Sequence, residues 1–262
     1  MRWRELIARP EIGRGVRQVW KRNFLHYRKS LLPSVLWTCL EPLMYLGAIG
    51  YGLGSYVTNM EGGSYIEFFF PGILCFTAMF VSFIDGTYGN FAKLTYQKTY
   101  QTILLTPISA ADVVVGEILW TTSKGFFGAC GVAFVALFLG LVESWRILPT
   151  LIFLFSVSWM FSALAMIVTS YVRNYDSFIY WTSGFLTPMS LIAGVYFPLE
   201  QLPDGLRHLT WLLPLTHAVI PVRSILAGDI RWTLLIHIGI ILLSGWIFMN
   251  IAIHRIRRKL IR

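Results

Sequence analysis

The sequence predicts an all-α membrane protein with six transmembrane helices, and three observations carry that expectation. Of its 262 residues, 56% are hydrophobic and only 13% charged, about half the charged share of a soluble domain. The mean hydropathy is +0.62. The apolar residues gather in long runs, and basic residues crowd the ends of those runs, as they do beside membrane spans. A bilayer accommodates so much apolar surface, and water does not.

The elements follow in order. Residues 1–30 are expected to hold an N-terminal amphipathic interface helix. Within 11–29, Ile12, Val16, Val19, Trp20 and Tyr27 recur at helical spacing, while Arg14, Arg17, Lys21, Arg22 and Arg28 fill the other positions. Such a helix lies in the cytoplasmic headgroup layer. No cleavable signal peptide is expected, because the first apolar stretch begins near Leu31 and is too long for one. The transmembrane domain is expected over 31–253. Span 1 runs from Leu31 to Leu53, where Gly47, Gly50, Gly52 and Gly54 allow close helix approach. No strand precedes these glycines, so they make no dinucleotide loop. Span 2 runs from Ile66 to Thr87. The longest inner polar segment, 88–111, follows and is broken near Pro107. Span 3 covers Asp112 to Gly140 and span 4 covers Leu148 to Val172. An inner turn, Arg173 to Ser177, leads to span 5, Phe178 to Phe197. Residues 198–231 carry Pro198, Pro203, Pro214 and Pro221. Their apolar pieces are too short to cross and too apolar for a free loop, so re-entrant outer helices are expected between spans 5 and 6. Span 6 runs from Trp232 to Ile253, and 254–262 forms a basic cytoplasmic tail.

The net charge of +9 is placed asymmetrically. Inner segments hold 17 Lys or Arg and outer segments hold 4, which puts both termini in the cytoplasm of a bacterial inner-membrane protein. No folded polar surface presents the charge to nucleic acid. Cys39, Cys75 and Cys130 each sit in an apolar run, so neither a metal cluster nor a disulfide framework is expected. There is no P-loop, HExxH or Gly-x-Ser-x-Gly motif. The five histidines are scattered, and His217 has no acidic neighbour in sequence. The chain is therefore expected not to be an enzyme and to carry no cofactor or metal.

Ionisable groups inside spans are costly and point to function. Glu41 lies about 15 Å into span 1 and Lys124 about 18 Å into span 3, near the middle of a core about 30 Å thick. Both are expected to face the interior and to be able to pair. Glu117 lies two turns from Lys124 on the same face, and Asp85 sits near the inner end of span 2. Two readings stand for these four residues: a substrate-path or gating network, or ion pairs that pack helices. Aromatics are dense in spans 2 and 5. Phe69, Phe76, Phe80, Tyr180, Trp181 and Phe185 are candidates to line a path, since rings stack on sugars and seal a closed pore.

Several segments resemble the NodJ-type permeases of the ABC-2 family. They are Val19 to Phe24, Glu41 to Leu46, Glu61 to Ile66, Leu105-Thr106-Pro107, Asp112 to Glu117 and Leu186 to Met189. Phe197-Pro198-Leu199-Glu200-Gln201-Leu202-Pro203 and Leu213-Pro214-Leu215-Thr216-His217 complete the set. The resemblance covers nearly the whole chain. It implies the permease subunit of an ATP-driven exporter: a homodimer in the inner membrane, joined to two copies of a separate NodI-like ATPase that carries ATP and Mg. It implies export of a lipo-oligosaccharide, glycolipid or related amphiphile, with polysaccharides and drugs in sister branches. It also implies a coupling helix within 88–107, so that Lys93, Gln97, Lys98 and Gln101 would meet the ATPase, with Arg173 and Asp176 as a second contact. Phe197 and His217 would belong to an outer gate. The chain departs from the pattern at Asp85-Gly86-Thr87-Tyr88, where these permeases commonly carry a Glu, so the substrate is not inherited.

Two rivals from other classes are a secondary transporter and a membrane-bound transferase. The first would show internal repeats and helices broken at the midplane. The second would need catalytic groups clustered at one interface. The sequence shows neither pattern.

Overall fold

The computed structural model describes residues 12–56, 64–142 and 145–261. Arg2, Arg4 and Arg9, residues 57–63, and the side chains of Cys39 and Glu41 lie outside that description. Every element among the described residues is helical. In order they are α1 (Gly15–Arg28), α2 (Leu31–Tyr45), α3 (Tyr65–Ile84), α4 (Thr99–Ile103), α5 (Ala110–Phe138) and α6 (Ile147–Tyr171). Then come α7 (Phe178–Trp181), α8 (Thr187–Ile192), α9 (Asp204–Thr210), α10 (Thr216–Ala227) and α11 (Leu234–Ile261).

The all-α membrane character holds, but the expected count of six spans does not. Four helical runs among the described residues are long and apolar enough to cross a bilayer: Tyr65–Tyr96, Ala110–Phe138, Ile147–Tyr171 and Leu234–Leu260. Expected span 1 is α-helical for only 15 residues, about 22 Å of rise. It then widens into π-helix over Leu46–Gly52, where its glycines fall. Expected span 5 is divided into pieces of 4, 5 and 6 residues, with Gly184 in the middle piece and Pro188 in the last. The expected re-entrant pair is not found either. Residues 204–227 form helices of 7 and 12 residues, each too short to cross, and α10 packs along α3, α6 and α11.

Two boundaries also moved. Helix α3 does not stop at Thr87. It continues as π turns through Asp85–Gly89 and Ala92–Tyr96. Gly86 permits this, because a Cβ there would come within 2.7 Å of the Ala165 Cβ. Helix α11 likewise carries on through the basic end of the chain.

Helix α6 lies at the centre of the packing, with α3, α5 and α11 around it, and α1 lies along α5. Small residues bring the central helices together. A Cβ on Gly125 of α5 would come within 2.8 Å of the Ala78 carbonyl of α3 and 3.0 Å of Ser158 Oγ of α6. Large residues fill the layers on either side, among them Phe69, Phe83, Leu154 and Phe161, all fully buried.

Gly125→Val therefore forces three helices apart at once. It is expected to lower stability by about 1–3 kcal/mol, measured as an earlier midpoint in detergent-monitored unfolding. Gly52→Ala meets open space and is expected to leave the midpoint within about 1 kcal/mol of its starting value.

Candidate functional site

Helix α1 is tied to α5 at successive levels. Ser109 caps α5, its Oγ accepting from the Asp112 amide at 3.1 Å. Asp112 in turn accepts from the Gly13 amide at 2.6 Å, which fixes where α1 begins. One turn on, Gly116 lets α1 come close: a Cβ there would meet the Val19 Cβ at 2.7 Å. Further along, Trp20 Nε1 donates to Ser123 Oγ at 3.1 Å, and Trp20 and Tyr27 both set ring edges against Trp120.

Between these ties lies a buried cluster. Glu117 has no solvent exposure. Its Oε1 accepts from Arg22 Nη2 at 2.9 Å. Its Oε2 accepts from Lys93 Nζ at 2.7 Å and from Asn23 Nδ2 at 2.9 Å. Asn23 Oδ1 closes the ring by accepting from Arg22 at 2.8 Å and from Lys93 at 3.2 Å. One carboxylate thus joins α1, the C-terminal end of the α3 path and α5. Tyr100 of α4 is fully buried near them, with no partner for its hydroxyl. Burial, with the Glu117 charge added, raises its phenol pKa well above the usual value.

A second ion pair sits deeper. Lys124 donates to Asp85 Oδ1 and lies 5.2 Å from the centre of the Tyr27 ring. Among the described side chains, the expected network residues fall into two groups. Lys124 and Asp85 pair, Glu117 belongs to the inner cluster, and the Glu41 side chain lies outside the described residues.

The expected ATPase-facing residues divide in the same way. Lys93 is taken up by Glu117. Gln97, Lys98, Gln101, Arg173 and Asp176 are exposed. Lys98 has φ 51, a left-handed turn that separates the α3 path from α4. Leu105, just beyond α4, is 88% exposed. An aromatic stack joins the two inner segments: Tyr175 lies against Tyr96 at 5.5 Å and Tyr88 at 5.9 Å. Phe91 packs edge-on against Tyr175 and Phe178.

Among the candidate path aromatics, Phe69 is buried between Tyr65 and Tyr196. Phe76 is buried and stacks on the half-buried Phe80. Tyr180 and Trp181 are exposed on this chain, and Phe185 is half-buried. At the expected outer gate, Phe197 is exposed and His217 is buried. His217 Nδ1 lies 2.7 Å from His237 Nδ1, and its Nε2 lies 2.9 Å from the Trp211 carbonyl. Donation to that carbonyl leaves His217 Nδ1 as acceptor and His237 Nδ1–H as donor. Nearby, Arg223 lies 3.9 Å from the centre of the Phe68 ring and donates to the Gly194 carbonyl at 2.9 Å. Burial pushes its pKa down to about 10, still well above neutrality.

The model of the ABC-2 type transporter family matches residues 14–227, a stretch that runs from the start of α1 to the end of α10. The chain belongs to that family. It is 34% identical to Nodulation protein J of Rhizobium meliloti over 98% of this chain and 99% of that protein. It is 33% identical to Nodulation protein J of Bradyrhizobium diazoefficiens over 93% of each. Inner membrane transport permease YadH of Escherichia coli is 21% identical over 78% of this chain and 80% of its own length. No solved structure matches. An ABC-2 permease is a non-catalytic transport subunit that works with an ABC ATPase, so the Glu117 cluster lies in a protein moved by ATP hydrolysed elsewhere. It is a multi-pass protein of the bacterial inner membrane.

Sequence reasoning found Glu117 but not its partners. The one available signal was Asn23, a polar residue on the apolar face of α1 and now buried. Removing Glu117's charge leaves Arg22 and Lys93 uncompensated. Glu117→Gln is expected to cost about 3 kcal/mol. Tyr100→Phe removes an unpartnered buried hydroxyl and is expected to be neutral or to gain about 1 kcal/mol. Chemical or detergent unfolding of the two variants beside the parent chain reads both.

Proposed function

We propose that this chain is the permease subunit of an ATP-driven exporter that moves a lipo-oligosaccharide or related glycolipid outward from the cytoplasmic side. Two copies of the chain pair with two copies of a NodI-like ATPase, with N- and C-termini in the cytoplasm. The observation that carries this reading is the inner face. There the α3 path, α4 and the turn at 173–177 are joined to α1 and α5 by the Glu117 cluster and the Tyr175 stack, and together they present an exposed ledge.

The ledge is Gln97, Lys98, Gln101, Leu105, Arg173 and Asp176. It is the coupling surface on which the ATPase docks. Because Lys93 is bonded to Glu117, a push on the ledge passes into α5 and α1 and is not lost in a loose loop. The N-terminal helix is the interface helix of the assembly. The exposed rings of Tyr180 and Trp181, with Phe185, face the partner copy of the chain and line the route of a sugar headgroup. Phe197 and the His217 pair lie at its outer end. Similarity to the nodulation proteins J across nearly the whole chain supports an amphiphilic glycan cargo.

The reading is tested in liposomes that hold the chain with its co-expressed ATPase, while lipo-oligosaccharide, glycolipid and a hydrophobic drug are titrated. ATPase activity is expected to appear only in the complex and to rise with the glycolipid classes. Gln101→Glu together with Leu105→Asp is expected to lower that activity about tenfold or more, with the chain still folded. Stimulation by the drug alone would assign a drug exporter, and a complex that never forms would remove that ATPase as the partner.

A further inference from the structure

Beside the ledge, with which it shares Arg173, the inner ends of three long helices line an open cavity of about 510 Å³. Phe91 and Thr95 line it from the α3 path, Ser170 and Tyr171 from α6, and Arg255, Arg258 and Lys259 from α11, with Arg173 at its edge. Four cations line the cavity and no carboxylate does.

The arrangement is built rather than scattered. Arg255, Arg258 and Lys259 stand three and four residues apart, which puts them on one helix face, where like charges repel. Arg255 is held 3.8 Å from the centre of the Tyr171 ring, and Lys259 Nζ lies 3.4 Å from the Ser170 carbonyl. These contacts hold the heads in place, and none of them supplies a negative charge. An aromatic wall with a cationic rim, at the inner end of membrane helices, matches the headgroup of an anionic lipid. Arg and Lys heads both donate to phosphate oxygens, and their charge supplies most of the attraction.

We propose that this pocket binds a phosphate-bearing anion, of the kind carried by an anionic phospholipid of the inner leaflet. The phosphate sits among Arg255, Arg258 and Lys259, and the glycerol and first acyl carbons lie along the exposed Tyr171. Occupancy relieves the repulsion along α11 and ties the inner ends of α3, α6 and α11 together. This site is separate from the cargo route and stands whatever the cargo is.

The test uses the purified full-length chain in a neutral detergent and a fluorescent phosphatidylglycerol, with phosphatidylcholine and inorganic phosphate as competitors. Phosphatidylglycerol is expected to bind saturably and phosphatidylcholine not to displace it. R255Q/R258Q/K259Q is expected to bind on the order of 100-fold more weakly, about three cations' worth near a membrane surface. R255K/R258K keeps the charge and is expected to stay within a few-fold of the parent, which separates lost charge from lost fold. Displacement by millimolar inorganic phosphate would support the anion site and assign its natural source to a soluble phosphate. Lack of displacement by phosphate assigns the lipid. Equal binding of the two lipids, or undiminished phosphatidylglycerol binding by the triple glutamine variant, would overturn the proposal. It would do so also if that variant lost its ATPase partner, since the pocket would then be a protein contact.

Discussion

Glu117 sits where water cannot reach it, and an isolated carboxylate there would cost several kcal/mol. The chain meets that cost by bringing two cations and an amide to its two oxygens. Arg22 comes from a helix near the N-terminus, and Lys93 comes from the far end of the first of the four long runs, Tyr65–Tyr96. Neither can leave without exposing a charge to a low-dielectric interior. Much of the inner architecture follows from this constraint. The close approach at Gly116, the Asp112 tie to Gly13 and the rings around Trp120 all hold α1 in the place that Glu117 requires.

The same constraint separates the inner face of the permease into fixed and free parts. The residues from Tyr88 to Tyr96 are fixed, by Glu117 on one side and by Tyr175 and Phe178 on the other. Around and beyond the left-handed turn at Lys98, only Tyr100 of residues 97–107 is fully buried, and Gln97, Lys98, Gln101 and residues 105–107 are exposed. A surface of that kind can receive a partner, while the part beneath it can carry the displacement onward. The Lys124–Asp85 pair lies deeper on the same two helical paths, α5 and α3, so these two paths are joined at two depths.

Much of this was legible in the sequence, within limits that have physical causes. Periodicity and hydropathy located α1 and the four long spans, because those signals are local. They overcounted spans where glycine and proline break an apolar run: the run from Leu31 is greasy enough to cross, yet it leaves the α-helix after Tyr45. The same local view ended α3 at Thr87, since polar Lys93 looked like loop when it was a half-buried partner of Glu117. Glu117 and Lys124 stood out as charges in apolar surroundings, but their partners are 24 to 95 positions away and no spacing rule reaches that far. His217 looked solitary for the same reason, with His237 twenty positions further on. The family resemblance supplied what local patterns could not: the separate ATPase.

The central claim is that one carboxylate holds both Arg22 and Lys93, and a double-mutant cycle tests it most directly. Unfolding free energies would be measured for Arg22→Met and Lys93→Met, each in the parent chain and in the Glu117→Gln background. The account predicts that each substitution destabilises the parent and does little further harm once Glu117 is neutral, giving coupling energies of about 1–3 kcal/mol. Additive effects, with coupling near zero for both pairs, would contradict it.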